Sequence, residues 1–279
     1  MFHVERMAPE DFPFAVQLSN TMNWNMTAED FEFSLALEPE GCFILFQGSK
    51  RIGIATTISY GRVGWLGNLI LREEYRRKSA GGFLVNCAVN YLKCKGVSTI
   101  GLYSYNYLVA FYERFGFKID KNFNVLHGNP VFSAPTNPLE KIQEEIVPSV
   151  ITFDRKCFGA NRAKLLESLL FSGKNLCYGL IENSEVRGFA VAKLFDGNAE
   201  IGPLVCKADG GDDAKILLEN LLAKLSGLKV YLCVPESESA LLRQLSAIGF
   251  QEDFSVSRMF LGSNLTAKCI YSPESLERG

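Results

Sequence analysis

The two halves of this 279-residue chain carry the same succession of secondary-structure signals, and this repeat constrains the fold more than any other feature. In each half, two β-rich runs around a short turn precede a third apolar run, a polar loop and an apolar-periodic helix. Another strand, a short helix and a Gly-Phe step follow, and the endings "RFGFKID" and "AIGFQED" match most directly. Self-similarity over such a length indicates a tandem duplication of one fold. The mixture of strands and helices predicts an α/β unit built twice.

Hydrophobic periodicity predicts the elements of both halves. In the first half, strands are predicted at 2–7, 42–47, 51–60, 63–71, 97–105 and 116–126, and helices at 9–22, 27–37, 82–95 and 107–115. Thr27 followed by Asp30 resembles a helix capping box with Asp in the place of Glu. In the second half, strands are predicted at 175–182, 186–195, 199–206 and 228–234, and helices at 212–225 and 238–250.

The segment "NPVFSAPTNPLEKIQEEIVPS" (129–149) separates the two halves. Its four prolines and many polar residues are typical of a linker, with a short helix predicted at "LEKIQEEI". The interpretation is a first domain over 1–128, a linker over 129–148 and a second domain over 149–279.

Composition excludes several classes of function. The net charge is −2, and 47% of the residues are hydrophobic, which indicates a globular protein without the basic surface of a nucleic-acid binder. No run approaches the ~18 apolar residues of a membrane span, and the opening residues lack a signal-peptide layout. Eight cysteines without a C-x-x-C pair and only two histidines argue against a metal site and against Cys-His or Ser-His-Asp catalysis. Buried thiols in a reducing compartment, the cytoplasm or alternatively the nucleus, are expected.

The stretch "EYRRKSAGG" (74–82) concentrates hydrogen-bond donors and small residues between a strand and a helix. Small residues let a backbone approach a ligand closely, and the first N–H groups of a helix have no partner within the helix. Arg76, Arg77 and Lys78 add positive charge. This pattern predicts a phosphate-binding loop, and a solvated basic turn is the alternative.

The surrounding segment "NLILREEYRRKSAGGFLV" resembles motif A of the GNAT superfamily of acyl-CoA-dependent N-acetyltransferases. That motif reads Arg/Gln-x-x-Gly-x-Gly/Ala. Arg76 and Gly81 match its first and last positions, while Ser79 replaces the middle glycine. A register one residue later, with Arg77, Ala80 and Gly82, also fits. A second landmark, "FYERFGF" (111–117), resembles the "LYEKLGF" of the family.

The resemblance implies two tandem GNAT-like domains, each a mixed, mostly antiparallel twisted sheet flanked by helices. It implies acetyl-CoA as co-substrate, no metal, and direct attack by a primary amine of a small molecule or of a protein. The implied contacts to acetyl-CoA are the loop 76–82, Asn106, and a bulge in the fourth strand at Leu69, Ile70 and Leu71. Neither nucleic acid nor membrane is expected as a partner, and the protein is expected to be a monomer or a homodimer.

The resemblance also suggests roles outside the loop. Tyr112 matches the tyrosine near the thioester sulfur and is the candidate general acid, with a core tyrosine as the alternative. No base is placed, since Asp30, Glu32 and Glu73 are equally compatible with surface charges. Trp24 lies between two predicted helices and either lines the acceptor pocket or fills the core.

The second half departs from this pattern where chemistry is expected. Its loop "CKADGGDDA" (206–214) carries three aspartates that would repel phosphate, and "LLRQLSAIGF" has no tyrosine at the corresponding place. Its beginning resembles the second domain of YitH-like tandem GNAT proteins, through Asp154, Phe158, Gly159 and Arg162. The second half is therefore predicted to be non-catalytic and to help form the acceptor site. The competing functions are a CoA-binding sensor or scaffold, and transfer of a longer acyl group.

Overall fold

The computed structural model describes residues 1–131, 135, 137–207, 211–265 and 269–279. Within these residues the chain forms twelve strands and eight α-helices. The strands are β1 (Phe2–Arg6), β2 (Cys42–Gln47), β3 (Lys50–Ser59), β4 (Val63–Leu71), β5 (Thr99–Tyr105), β6 (Lys118–Gly128), β7 (Leu176–Glu182), β8 (Glu185–Phe195), β9 (Asn198–Cys206), β10 (Lys229–Pro235), β11 (Gln251–Leu261) and β12 (Ile270–Ser272). The helices are α1 (Phe12–Asn20), α2 (Ala28–Leu37), α3 (Ala80–Cys94), α4 (Val109–Glu113), α5 (Val147–Phe158), α6 (Ala163–Leu170), α7 (Gly211–Lys224) and α8 (Ser239–Ala247).

All the strands belong to one continuous sheet. Its order is β1-β2-β3-β4-β5-β11-β6-β10-β9-β8-β7, with β12 paired to β9. The pairs β4–β5 and β9–β10 are parallel and the other pairs are antiparallel. The predicted duplicated unit with a mixed, mostly antiparallel sheet is confirmed.

The two halves exchange their last long strands. β11 of the second half pairs with β5 of the first, with Val256 opposite Tyr105. Reciprocally, β6 of the first half pairs with β10 of the second, with Val230 opposite Gly128. Each half therefore completes the sheet of the other. The division at residues 129–148 stays a prediction about the chain, because the sheet itself runs on without a break.

Helices cover both faces of the first half. On one face, which we call the α3 face, α3 buries Leu84 and Ala88 against Leu66 of β4 and Leu102 of β5. On the opposite face, which we call the α1–α2 face, α1 and α2 pack over residues that include Ile70 of β4. Because neighbouring residues of a strand point to opposite faces, β4 supplies both layers. None of the helices in the described ranges is both long and apolar enough to cross a membrane.

The segment between the halves is less helical than its sequence predicts. The helix expected at 139–146 is reduced to one 3₁₀ turn, Glu144–Ile146, which leads directly into α5. Upstream of that turn, the backbone of Lys141 bridges to Tyr178 of β7, and the Leu139 N–H donates to Asn220 Oδ1 at 2.8 Å. These contacts to the second half hold the segment extended and displace the helix. Residues 132–134 and 136 of the predicted linker lie outside the described residues.

Residues 273–279, which we call the tail segment, run back from the second half across the first. The hydroxyl of Tyr60 donates to the carbonyl of Arg278 at 2.9 Å, and Trp65 Nε1 donates to the carbonyl of Leu276 at 3.3 Å. Arg162 donates to the carbonyl of Gly279 while pairing with Asp154. The α1–α2 face of β4 is thus covered near Trp65 by chain from the other half.

Candidate active site

A cleft opens between β4 and β5. These parallel strands pair only from Val63 opposite Thr99 to Trp65 opposite Gly101. Further along, β4 remains paired to β3 and β5 to β11, so the two strands follow different neighbours and separate. The facing backbone edges beyond Trp65 are not paired with each other. An extended ligand can enter such an opening and bind as an added strand.

The strand β4 carries a β-bulge at the mouth of the cleft. Gly67 lies opposite Thr56 and Ile70 lies opposite Ile54, so three steps along β4 face two along β3. The extra residue takes the Asn68–Leu69 backbone out of the regular ladder. Asn68 adopts a φ of 47°, in the left-handed region that asparagine tolerates better than most residues.

Asn68 was missed by the sequence reasoning, which mapped the bulge to Leu69, Ile70 and Leu71. In the structure Ile70 and Leu71 are already paired with β3 again, and both are buried in the core. Asn68 is itself buried, and its Nδ2 donates to Thr56 Oγ1 at 3.2 Å. Its Oδ1 is buried without a hydrogen-bond partner among the described residues. The available signal was one polar residue beside a glycine in the apolar run "GWLGNLIL".

The loop between β4 and α3 has an unusual backbone. Arg77 and Ser79 have φ values of 60° and 62°, and Ser79 is the N-cap of the 15-residue helix α3. Ser79 thus adopts the left-handed conformation that the middle glycine of motif A would provide. Arg76, Arg77, Lys78 and Ser79 are all exposed. Arg76 also closes the loop, because its Nε donates to the carbonyl of Leu71 at 3.2 Å.

The small residues at the start of α3 have a packing role. A Cβ built on Gly81 would lie 3.3 Å from Phe111 Cζ, and one built on Gly82 would lie 3.1 Å from Phe115 Cζ. Ala80 is fully buried. These positions let α3 lie close to the aromatic side chains of α4 and of the turn after it, which places the first N–H groups of α3 at the loop.

Tyr112 lies in α4 with its ring in the core of the first half. It is 6% exposed and meets the rings of Phe111 and Phe117 edge-on, at centroid distances of 5.0 and 5.9 Å. Burial raises the pKa of its hydroxyl far above the usual value, with a smaller contribution from Tyr107. The hydroxyl therefore holds its proton at neutral pH, and within the described part of the chain it makes no hydrogen bond. It can donate, as a general acid must.

An aromatic group borders the cleft on the α1–α2 face. Trp24 is half-buried, and its Nε1 donates to the hydroxyl of Tyr105 at 2.8 Å. The Tyr105 ring stacks on Tyr107 at 5.4 Å and leans on Phe254 of β11 at 5.3 Å. Trp24 packs against the core of the α1–α2 face and reaches the end of β5, and its role in an acceptor pocket stays a prediction.

The other predicted polar residues either form hydrogen bonds within the protein or are exposed to solvent. Asn106 Nδ2 donates to Ser255 Oγ at 2.8 Å, and Asn106 Oδ1 accepts from Ser257 Oγ at 3.1 Å, which ties the end of β5 to β11. Asp30 accepts from the Thr27 N–H at 2.8 Å, as the capping-box pattern predicted. Glu32 and Glu73 are exposed. The described residues bring together no group of three His, Cys, Asp or Glu side chains suited to a metal ion.

The corresponding cleft of the second half is filled by the chain itself. Here too the parallel strands pair only briefly, from Asn198 opposite Lys229 to Ile201 opposite Leu232. Beyond that point β12 pairs with β9, with Ile270 opposite Val205. The Cys206 N–H donates to the carbonyl of Cys269 at 2.9 Å. The edge that would receive an extended ligand is thus already paired.

The acidic loop of the second half is only partly described. Asp213 is buried at the start of α7 and pairs with Arg187 at 3.1 Å. Lys207 lies 4.0 Å from Glu185. Asp209, one of the three aspartates expected to repel phosphate, lies outside the described residues.

The splayed parallel strands, the bulge at the cleft mouth and the basic, partly left-handed loop before α3 define a GNAT fold. Residues 5–117 match the family model described as the Acetyltransferase (GNAT) family. Residues 150–271 match the model described as an Acetyltransferase (GNAT) domain. The chain belongs to the GNAT superfamily, with one GNAT unit in each half, and is an acyltransferase of the N-acetyltransferase type.

The chain is also similar to individual acetyltransferases and GNAT proteins. The chain is 21% identical over 197 residues to the uncharacterized N-acetyltransferase YitH of Bacillus subtilis strain 168, covering 70% of this chain and 68% of that protein. The crystal structure of a candidate acetyltransferase from Pyrococcus horikoshii superposes with a TM-score of 0.81 at 22% identity, covering 100% of this chain and 96% of that one. A tandem GNAT protein from the clavulanic acid biosynthesis pathway superposes with a TM-score of 0.66 at 12% identity, covering 95% and 100%. The structural similarities establish the fold.

Proposed function

We propose that this protein transfers the acetyl group of acetyl-CoA to a primary amine by direct attack, in the β4–β5 cleft of its first half. The observation that carries the proposal is the contrast between the two clefts. In the first half no strand formed by the described residues lies between the separating strands, while β12 occupies the equivalent place in the second. The activity is proposed for the cytoplasm, and the amine belongs to a small molecule or to an exposed group of a protein.

In this proposal, different residues of the first half bind acetyl-CoA, polarise its carbonyl and protonate the leaving group. The pantetheine arm would bind along the open edge of β4, and the pyrophosphate would bind at residues 76–82, where helix N–H groups and three basic side chains meet. A backbone N–H near the bulge would polarise the thioester carbonyl. The amine nitrogen attacks the carbonyl carbon, the carbon–sulfur bond breaks, and the leaving thiolate takes the proton of Tyr112.

The alternative function is a non-catalytic CoA sensor, and the feature that favours it is Ser79 in the place of the middle glycine of motif A. Because Ser79 adopts a φ of 62°, the substitution leaves the loop in a left-handed conformation compatible with phosphate binding. The two functions are separated by mixing the purified protein with acetyl-CoA and a panel of primary amines. Release of free CoA with formation of an N-acetyl product supports transfer, whereas acetyl-CoA binding without turnover of any amine supports a sensor.

Replacing Ser79 with Asp should weaken acetyl-CoA binding at least tenfold, about 1.4 kcal/mol. The variant places a carboxylate beside the predicted pyrophosphate site, and calorimetric titration measures the change in Kd. Ser79→Asn is the matched control, since Asn and Asp have similar shapes and both tolerate left-handed φ values. The Ser79→Asn variant should bind acetyl-CoA within about threefold of wild type. Equal affinities of the two variants would show that phosphate does not bind at this loop.

One molecule of acetyl-CoA should bind per chain, because the second cleft is filled by β12. Calorimetry or native mass spectrometry with excess ligand measures the stoichiometry. The Ser79→Asp variant serves as the control, since weakening the first site should remove most of the binding at moderate concentration. Two equivalents bound per chain, or strong residual binding in that variant, would contradict the assignment.

A further inference from the structure

Glu277 of the tail segment lies against the bulge of the first half. A Cβ built on Gly67 would be 2.5 Å from the carbonyl oxygen of Glu277 and 2.6 Å from its Cα. Gly67 directly precedes the bulge residue Asn68, so only a residue without a side chain allows this approach. Trp65, two residues earlier on the same face of β4, donates to the carbonyl of Leu276. The tail segment therefore brings the backbone of Glu277 against Gly67, next to the bulge, on the α1–α2 face.

The carboxylate of Glu277 differs from that of its neighbour Glu274. Glu274 is fully buried and is held by Arg278 at 2.8 Å and by Lys193 at 2.9 Å. Glu277 is half-buried, and its carboxylate has neither an ion pair nor a hydrogen bond among the described residues. The basic side chains nearest in the chain are thus already committed to Glu274. A half-buried carboxylate without a partner remains available to a ligand.

The charge of Glu277 acts on groups of β5, of β9 and of the tail segment. On β5, the hydroxyl of Tyr105 has a raised pKa, chiefly through burial and to a smaller degree through the negative charge of Glu277. On β9, Glu200 has a raised pKa for the same main reason, and Lys193 opposes the added effect of Glu277. In the tail segment, the negative charge of Glu277 helps to raise the pKa of Arg278, but the ion pair of Arg278 is with Glu274. The negative charge of Glu277 is thus felt by Tyr105 of the first half as well as by Glu200 and Arg278 of the second.

We propose that Glu277 is the base that takes the proton of the acceptor's ammonium group, and that the acceptor is a cationic primary amine. The inference rests on the proposed function and supplies the base that Asp30, Glu32 and Glu73 do not provide. Ring faces attract ammonium groups, and Trp24 and Tyr105, joined by a hydrogen bond of 2.8 Å, place two aromatic rings at the end of β5. The second half then contributes a catalytic residue to the site of the first.

The proposed transfer consumes one ammonium group and one thioester. The acceptor ammonium gives one proton to the Glu277 carboxylate, directly or through one water, which frees the nitrogen lone pair. The nitrogen–carbon bond forms, the carbon–sulfur bond breaks, and the thiolate takes the proton of Tyr112. The nitrogen, now part of the amide, loses its second proton to the Tyr112 phenolate, and Glu277 releases its proton to solvent. The products are an amide, a free thiol and one proton.

The test replaces Glu277 with Gln, which keeps the size and removes the base. For an amine that the wild-type protein acetylates, kcat/KM near pH 7 should fall at least 100-fold, while the Kd of acetyl-CoA stays within twofold. The lower limb of the pH–rate profile should disappear, and activity should recover as rising pH supplies free amine. Glu277→Asp keeps a carboxylate and should retain that limb. Glu167→Gln, an exposed position on α6, is the matched control and should behave as wild type.

The outcomes separate the two proposals. Turnover by wild type with unchanged kcat/KM in Glu277→Gln would overturn the role of Glu277 and leave the proposed function standing. A loss with an unchanged pH profile would also overturn it, since it would indicate a binding or structural contact. Thermal unfolding identifies a folding defect, and in that case the pH profile of Glu277→Asp decides. No turnover by wild type with any amine would refute both proposals.

Discussion

Glu274→Ala should lower the free energy of unfolding by about 3–5 kcal/mol, the largest stability effect expected for a single residue of the tail segment. The carboxylate of Glu274 is the common partner of Arg278 and Lys193, and all three side chains are at most 14% exposed. Removing it leaves the buried Arg278 without its carboxylate partner and leaves Lys193 with Glu200 alone, at 2.9 Å. Urea unfolding followed by circular dichroism measures the change. Glu236→Ala, at an exposed position, should change stability by less than about 0.5 kcal/mol.

The same residue gives a pH dependence with a definite sign. Burial alone would raise the pKa of Glu274, but Arg278 and Lys193 lower it well below the ordinary value of 4.5. A carboxyl group with a lowered pKa in the folded state stabilises the protein above its unfolded pKa, and this contribution is lost as the pH falls. Wild-type stability should therefore decline below about pH 4.5 more steeply than that of Glu274→Gln. Parallel declines would contradict the assignment.

Tyr112→Phe should lower kcat at least 100-fold, about 2.7 kcal/mol in the activation barrier, while the Kd of acetyl-CoA changes little. The variant removes only the hydroxyl, and the ring keeps its contacts with Phe111 and Phe117. Steady-state kinetics with a saturating amine and calorimetry with acetyl-CoA measure the two quantities.

The control for this prediction is Tyr178→Phe. Tyr178 is 3% exposed, in the core of the second half, so the variant reproduces the loss of a buried hydroxyl away from the cleft. Its kcat should remain near wild type. Equal losses of kcat and of acetyl-CoA affinity in Tyr112→Phe would make the residue a binding contact, and an unchanged kcat would remove it from the mechanism.

The tail segment contains both the ion-paired Glu274 and the proposed base Glu277. The ion pairs of Glu274 hold the backbone that continues into Glu277, and Glu277 contacts Gly67 beside the bulge. A variant that loosens Glu274 should therefore also reduce turnover, even under conditions where the protein is folded. In the proposed mechanism the second half, whose own cleft is filled by β12, completes the site of the first.

Local sequence was sufficient for the elements of the first half and for the loop of the candidate site, whereas α5, α6, β11 and β12 of the second half were not predicted. The repeat, the strand–loop–helix unit at 63–94 and the capping box of Thr27 and Asp30 depend on residues close in the chain, and the structure has all three. Hydrophobic period, turn chemistry and helix-terminal hydrogen bonds act over a few residues, so their patterns are legible in one sequence. The motif at 76–82 identified the loop for the same reason.

The rest depended on contacts between residues far apart in the chain. The bulge at Asn68 depends on its register with Thr56, and the exchange of β6 and β11 depends on pairings across more than one hundred residues. Positions 81 and 82 require a small residue because α3 packs against Phe111 and Phe115, as well as because of the adjoining loop. Glu277 becomes a neighbour of the cleft only when the tail segment packs on β4. Strand order, register and burial depend on which surfaces pack together in three dimensions. The hydrophobic period of a short segment does not specify its packing partner.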